Sequence, residues 1–496
     1  MTARHEHVAI DLGAGSGRVF LGHVGDEGLH FADVHRFHYT PREVAGHLRW
    51  DVSRLFAGIE EGLRLAGARA RERGTALASV AVDSWGVDYG LVDAAGRLLE
   101  EPVSYRDART EPMMEAVFAR VPRAELFART GIQMMVFNTV FQLAAHVAEG
   151  IPAGAARFLM IPDLCHQHLC GSDVGELTNA STTQLLDART QRWDEELFRR
   201  LGLPRHLMPD VVTAGTTLGE LTPALRDRLG LDPLRVVAPA THDTGSAVAG
   251  TPLAPGWAYV SSGTWSLVGV EHDVPLLGED AAAANFTNEI GANRKVRLLR
   301  NVMGLWVLDS CLREWEASGL GVALPELLQR VAEVQGFPGF VCPDARRFFN
   351  PHSMLGELRS ALHESRQHPP EDPVPLAKVV LDSLALRYAS TIATLERLTG
   401  RAVPGVHIVG GGSQNDYLNQ ATANATRKPV TAGPVEAAVC GNLLVQAMAG
   451  GEIASVEEGR RRLAARLTLR HYAPRDTAAW EQAVARYQAV EAQALS

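Results

Sequence analysis

Ile10-Asp11-Leu12-Gly13-Ala14-Gly15-Ser16-Gly17-Arg18 closes one apolar run and opens another, and its reading decides the fold. Val8 to Leu12 and Val19 to Val24 read as β-strands, so the glycines form the tip of a hairpin. Small side chains at such a tip let backbone N–H groups approach an anion, and glycine is expected to supply the positive φ angles of the turn. A glycine-rich hairpin is by itself a common structural turn. What a mere turn leaves unexplained is Asp11, a carboxylate at the end of an apolar strand beside small residues. There it can hold a divalent cation directly or through water, while Arg18 can meet phosphate oxygens with both guanidinium branches.

Outward from this turn, Leu29 to Phe37 supplies a third strand after Gly-Asp-Glu-Gly. Asp51 or Ser53 can cap a helix whose Leu55, Phe56, Ile59 and Leu63 share a face. A buried strand at Ser79 to Val82 then runs into Asp83-Ser84-Trp85-Gly86-Val87-Asp88. Three strands, a helix and a strand open a ribonuclease-H-like α/β fold. The second half repeats the order without repeating the residues. Tyr259-Val260-Ser261-Ser262-Gly263-Thr264-Trp265-Ser266 is its hairpin tip, between strands Trp257 to Ser262 and Trp265 to Val270. Strands near Asn285 to Ile290 and Val296 to Leu299 lead into a helix from about Gly304. Val380, Leu384, Tyr388, Ile392 and Leu395 mark an amphipathic helix closed by Gly400, before the strand His407-Ile408-Val409 and the turn Gly410-Gly411-Gly412. The expected architecture is two ribonuclease-H-like α/β domains, residues 1–249 and 250–496, parted in Ala249-Gly250-Thr251-Pro252 and flanking a central cleft. Facing each other across it, the two hairpin tips would clamp a phosphate chain.

A chain of 496 residues is too long for one core, which agrees with two domains. Its net charge of -9 argues against nucleic acid or an anionic membrane as partner. No apolar stretch reaches spanning length, and the polar start Thr2-Ala3-Arg4-His5-Glu6-His7 is not expected to act as a signal peptide. Five irregularly spaced cysteines suit a reducing cytoplasm better than a disulfide framework. The only lysines are Lys295, Lys378 and Lys428, and no G-x-x-x-x-G-K-[ST] string occurs, which excludes a Walker-type loop. Nucleotide phosphates would have to be held by backbone N–H groups, hydroxyls, arginine and a metal.

Thr241-His242-Asp243-Thr244-Gly245-Ser246 follows the apolar run Val236 to Ala240. Asp243, at the tip of a strand and the start of a helix, is either a helix cap or a base pointing into the crevice where α/β ligands bind. As a base it would take the proton of a hydroxyl attacking phosphorus. Asp83-Ser84-Trp85-Gly86 and Tyr105-Arg106-Asp107-Ala108-Arg109 gather donors and acceptors around aromatic surface, as a sugar requires; a solvated loop and a salt-bridged corner are the plainer readings. Gly410-Gly411-Gly412-Ser413 allows close backbone approach to something flat or anionic. Cys165-His166-Gln167-His168-Leu169-Cys170 looks like a zinc site and is read as helix packing. On a helix only His166 with Cys170, and Cys165 with His168, share a face.

In order, DLGAGSGR, DSWGVDYG, YRDART, TGIQMMVFNTVFQL, TNASTTQL, THDTGSA, SSGTWSLVG, NVMGLW, VHIVGGGSQN and GPVEAAVCGN resemble the FGGY carbohydrate kinases, from about Val8 to beyond Asn442. DSWGVD, the GIQ-FNT-QL spacing and NVMGLW resemble the subgroup acting on L-rhamnulose. The resemblance implies an actin-like pair of domains with ATP and sugar as ligands. It implies that Gly13, Ala14, Gly15, Ser16, Gly17 and Arg18 take ATP phosphates with Mg²⁺ at Asp11, and that Thr264 meets them from the second domain. Gly411 would sit by the adenosine and Asp309 near the nucleotide, where the subgroup carries glutamine. Gly15 stands for a serine and Ser413 for a cysteine. Gly86, His242, Asp243, Thr244 and Asn301 would hold the sugar, with Asp243 as proton acceptor.

The expected reaction is transfer of the γ-phosphoryl of MgATP to the 1-hydroxyl of L-rhamnulose, with domain closure excluding water. L-Fuculose and L-xylulose are the alternative substrates. A nucleotide-switched actin-like binding protein is the alternative class; it would turn over ATP without regard to sugar.

Overall fold

The structure is a computed structural model describing residues 5–25 and 27–495; Thr2 to Arg4 of the polar start and Asp26 of the second turn lie outside the described residues. Its two compact units are discontinuous. The first comprises Met1–Pro252, His272–Leu298 and Ala437–Leu467; the second Leu253–Glu271, Leu299–Glu436 and Thr468–Ser496. The chain first crosses at Pro252, inside the stretch read as a boundary, and then crosses four more times.

The first unit is built on a sheet of β1 (His5–Leu12), β2 (Ser16–Gly25), β3 (Gly28–His38), β4 (Ala76–Ser84), β5 (Thr217–Glu220) and β6 (Arg235–Val237). Their spatial order is β5-β6-β4-β1-β2-β3. β1 pairs antiparallel with β2 and parallel with β4, and β6 lies parallel to β4. Alternation sends Val8, Ile10 and Leu12 to one face and Ala9 to the other. The first face is covered by the helix Val52–Arg73, capped by Asp51, whose carboxylate accepts from Arg54 N–H at 3.1 Å. A Cβ at Gly58 or Gly62 would stand 2.4 Å from Phe37 or Val19, so bare backbone seats this helix on the strands.

The second face is covered from the far end of the chain. Val439, Cys440, Leu443 and Leu444, on the helix Ala437–Ala449, pack with Ala9, Phe20, Val24 and Leu29. That helix crosses the short helix Asp243–Ala249 at small residues. A Cβ at Gly441 would lie 1.8 Å from the Ser246 carbonyl oxygen, and one at Gly250 2.2 Å from that of Ala437. Gln446 and Asn442 continue the contact in polar form, donating to the Val8 carbonyl at 3.0 Å and to Asp83 Oδ2 at 2.6 Å.

β7 (Ala258–Ser262) and β8 (Trp265–His272) form the second glycine-tipped hairpin. β9 (Thr287–Ile290) and the first residues of β10 (Val296–Met303) belong to the first unit. The second unit adds β11 (Val406–Val409), β12 (Val430–Ala432) and β13 (Arg470–Tyr472). β7, β11 and β12 run parallel, with antiparallel partners β8 and β13 at either side. The same senses hold for β1, β4 and β6, flanked by β2 and β5. The repeat expected from element order is therefore a repeat of topology.

The helix around Val380 to Leu395 departs from its expected amphipathic form. It runs Pro373–Thr399 and is buried on almost every side from Leu376 to Tyr388. Its polar residues lie inside with partners: Lys378 Nζ is 3.0 Å from Asp382 Oδ2, and Arg387 Nη2 is 2.7 Å from Asp344 Oδ2. Burial of charge needs such pairing, which a stripe of apolar positions does not reveal.

Candidate active site

In the first unit, Asp11, the penultimate residue of β1, is almost fully buried, and Arg18 opposite on β2 places Nη2 2.5 Å from its Oδ2. Gly13 N–H donates to the Ser16 carbonyl at 2.9 Å, and Tyr39 braces the tip by donating its hydroxyl to the Gly13 carbonyl at 2.6 Å. The glycines do not serve by positive φ: none of Gly13, Gly15, Gly17 or Gly263 has one, which corrects the expectation. Space is their reason. A Cβ at Gly17 would lie 2.2 Å from the Phe37 ring, whereas Gly13 and Gly15 meet nothing nearer than 3.6 Å. Gly13, Ala14, Gly15 and Ser16 are all partly exposed, so the tip offers backbone to a ligand.

Register decides what lies beside Asp11. β1 and β4 pair Asp11 with Asp83, so two carboxylates leave neighbouring strands on one face. Asp83 is wholly buried; Asn442 donates to its Oδ2, and its Oδ1 has no hydrogen-bond partner among the described residues. Burial pushes its pKa well up, the charges of Asp11 and Asp243 push it further, and the Asn442 bond opposes them. The DSWG string was expected to serve a sugar, yet its aspartate stands beside Asp11 at the glycine-rich turn. Only the parallel register reveals this. Hard carboxylate oxygens with one buried oxygen unsatisfied fit a hydrated Mg²⁺, and Asp11 and Asp83 would hold it. No cluster of three or more metal-ligating residues occurs among the described residues.

His242 precedes the helix Asp243–Ala249, and Asp243 is its first residue rather than its cap. Asp243 Oδ1 accepts from Thr244 N–H at 2.5 Å and Thr244 Oγ1 at 3.1 Å, which turns the carboxylate to one side. Buried Glu176 fixes the preceding peptide by accepting from Thr241 N–H at 2.9 Å and Thr241 Oγ1 at 2.8 Å. A Cβ at Gly86 would meet Thr182 Oγ1 at 3.1 Å and His242 Nε2 at 3.5 Å. Gly86, His242 and Asp243 are thus brought together, with Thr182 added. The TNASTTQL string contained Thr182, but nothing in its composition singled it out.

Trp85 is not an open platform for a sugar. It is buried, its ring centroid 4.6 Å from that of Trp50 and 6.1 Å from that of Tyr39, and it donates Nε1–H to Asp88 at 3.0 Å. Asp88 also accepts from Trp50 Nε1–H at 2.7 Å and Tyr105 N–H at 3.2 Å, and burial raises its pKa to about 6. Tyr105-Arg106-Asp107-Ala108-Arg109 is the salt-bridged corner: Asp107 accepts from Leu48 N–H at 2.7 Å, and Arg109 pairs with Glu149 at 3.1 Å. The cysteine–histidine stretch is the helix Ile161–Cys170. His166 Nε2 accepts from Val82 N–H at 3.2 Å, and Cys165 belongs to the core.

In the second unit, Gly263 N–H donates to the Trp265 carbonyl at 2.8 Å and closes the β7–β8 tip. Gly304 N–H reaches the Thr264 carbonyl at 3.1 Å and Leu305 N–H that of Gly263 at 2.9 Å, tying the tip to the helix Trp306–Ala317. Thr264 itself is exposed. Gly410, at φ 81, and Gly412 press on Ser262, where added Cβ atoms would stand 2.8 Å from its carbonyl oxygen and 2.0 Å from its Oγ. Gly411 between them meets nothing within 4 Å. Asp309 lies in the first turn of the helix Trp306–Ala317, its pKa raised by burial. Asn301 lies in β10, within the second unit.

The model of the FGGY family of carbohydrate kinases, N-terminal domain, matches residues 7–250, and that of its C-terminal domain residues 258–450. The chain belongs to this family. It is a carbohydrate kinase, a phosphotransferase using ATP with Mg²⁺. A rhamnulokinase of Bacteroides thetaiotaomicron is 40% identical over 96% of this chain and 97% of its own. One from Pectobacterium carotovorum is 42% identical over 94% and 93%. Among solved structures, gluconate kinase from Lactobacillus acidophilus aligns with a TM-score of 0.81 at 14% identity, covering 99% of each chain. Plasmodium falciparum glycerol kinase with ADP aligns at 0.78 and 15% identity, covering 100% of this FGGY chain and 99% of its own. These likenesses give the actin-like ATPase fold.

Proposed function

We propose that this FGGY kinase transfers the γ-phosphoryl of ATP to the 1-hydroxyl of L-rhamnulose in the cytoplasm. The first unit takes the sugar and phosphates, the second the nucleotide. The reading is supported by full-length likeness to rhamnulokinases and, above all, by one juxtaposition: the Asp243 carboxylate beside His242 and the bare backbone of Gly86.

Phosphoryl transfer asks a protein mainly to align reactants and balance charge. Gly86 leaves room for the ketose, and His242, Thr244 and Asn301 give its hydroxyls directional partners. Thr244 holds Asp243 Oδ1, and Oδ2 is the oxygen that takes the proton from the attacking hydroxyl. Backbone from Gly13 to Gly17, with Arg18 and with Thr264 of the second unit, takes the phosphates, and Asp309 and Gly411 take the rest of the nucleotide. Asp11 and Asp83 would hold Mg²⁺, which would supply neutralisation of charge on the phosphate oxygens.

A coupled ADP-release assay over L-rhamnulose, L-fuculose and L-xylulose tests the substrate, with highest kcat/KM expected for L-rhamnulose; preference for another ketose would reassign it. Asp243→Asn is expected to lower kcat by roughly 10² to 10⁴ with KM for ATP little changed. Near-normal turnover would remove Asp243 from its role.

A further inference from the structure

The ring of His242 is clasped from behind by two buried, oppositely charged residues for which the reaction gives no reason. Arg297 is wholly buried in β10, and Glu289, almost as buried, lies in β9. Arg297 Nη2 sits 3.0 Å from Glu289 Oε2 and 3.0 Å from His242 Nδ1, while its Nε donates to the Ile290 carbonyl at 3.2 Å. Glu289 Oε2 lies farther from Nδ1, at 3.4 Å. A guanidinium has donors and no acceptor. The Arg297–His242 contact is a hydrogen bond only if Nδ1 offers its lone pair, which puts the ring proton on Nε2. Nε2 is the atom that faces the site, 3.5 Å from Asp243 Oδ1 and 3.5 Å from where a Gly86 Cβ would stand.

We propose that Arg297 is a positioning residue that fixes His242 as its Nε2–H tautomer, so that a donor faces the sugar pocket beside Asp243, and that Glu289 holds Arg297 for that task. The inference rests on the reading of Asp243 as base and His242 as sugar ligand. It adds a chemical requirement. The group meeting His242 must be an oxygen with a free lone pair, a hydroxyl or carbonyl, so a ketose lacking that oxygen leaves a buried N–H unpaired and is rejected. The arrangement also separates two jobs. Asp243 accepts a proton from one substrate oxygen, and His242 donates a hydrogen bond to another. A lone pair on Nε2 would set two acceptors side by side, so a hydroxyl there would have to turn its own proton to the ring and a carbonyl could not be held.

The test reads the tautomer directly. In protein labelled with ¹⁵N-histidine, two-bond correlation spectra assign the His242 ring by its loss in His242→Asn. The expected wild-type pattern is a bare Nδ1 and a protonated Nε2. Arg297→Met is expected to change that pattern, to raise the ketose KM and to lower kcat by about tenfold or more, with KM for ATP unchanged. Arg297→Lys should restore part of the loss. Glu289→Gln, whose amide oxygen still accepts from the guanidinium, should leave the tautomer as it is. A proton found on Nδ1 in the wild type, or a folded Arg297→Met with an unaltered His242 pattern and ketose kinetics, overturns the proposal. If Arg297→Met does not fold, the wild-type spectrum and Glu289→Gln decide. Normal turnover by Asp243→Asn would sink the base reading alone, because the ring pattern does not depend on it.

Discussion

Gly411 and Gly412 are neighbours with opposite reasons to be glycine. An added Cβ at Gly412 would overlap Ser262, and one at Gly411 would enter open space. Gly412→Ala is therefore expected to cost about 1 to 3 kcal/mol of stability through overpacking, measured by urea unfolding. Gly411→Ala should leave the midpoint unchanged and raise KM for ATP. Equal losses of stability in both variants would refute the division. Gly17, against the Phe37 ring, belongs with Gly412. A sequence shows three glycines in a row, but which one a ligand needs depends on what surrounds each, and that is a tertiary fact.

At the scale of elements, Asp88 joins the end of β4 to two other segments through Trp50, Trp85 and Tyr105. Asp88→Ala would strand those buried donors and is expected to cost about 2 to 4 kcal/mol. Burial lifts the folded pKa of Asp88 to about 6, above an unfolded value of about 4. Its protonation thus stabilises the fold fully below about pH 4, and that contribution is lost as pH rises through 6. Unfolding in urea from pH 5 to 7.5 should accordingly show a fall in stability that is smaller in Asp88→Asn; identical slopes would exclude Asp88 as the source. The meander, the cap at Asp51 and both hairpin tips were legible because periodicity and turn chemistry are local. The long helix Pro373–Thr399 was legible as a helix but not in its burial, since Lys378, Asp382 and Arg387 read as solvent-facing until their partners are seen. Asp243, His242 and Gly86 stood out through motif and resemblance. Asp83 beside Asp11, Thr182 beside Gly86, and Arg297 behind His242 did not, because each depends on strand register or on residues far apart in the chain.

At the scale of the molecule, water competes with the sugar hydroxyl for the γ-phosphoryl group. Without a ketose, ADP release is expected to fall by at least about tenfold, since water must then replace a positioned hydroxyl. Sugar-independent turnover would instead favour a nucleotide switch.

Molecular organisation also bears on how the enzyme comes into being. The sheet face bearing Ala9, Phe20, Val24 and Leu29 is made early but packs against Val439, Cys440, Leu443, Leu444, Ala447, Ile453 and Leu463, which are made late. A ribosome adding ~5 to 20 residues per second leaves that surface bare for on the order of tens of seconds. The nascent first half should therefore recruit chaperones until translation nears its end. A gene truncated before codon 437 should yield aggregate, not a smaller working lobe.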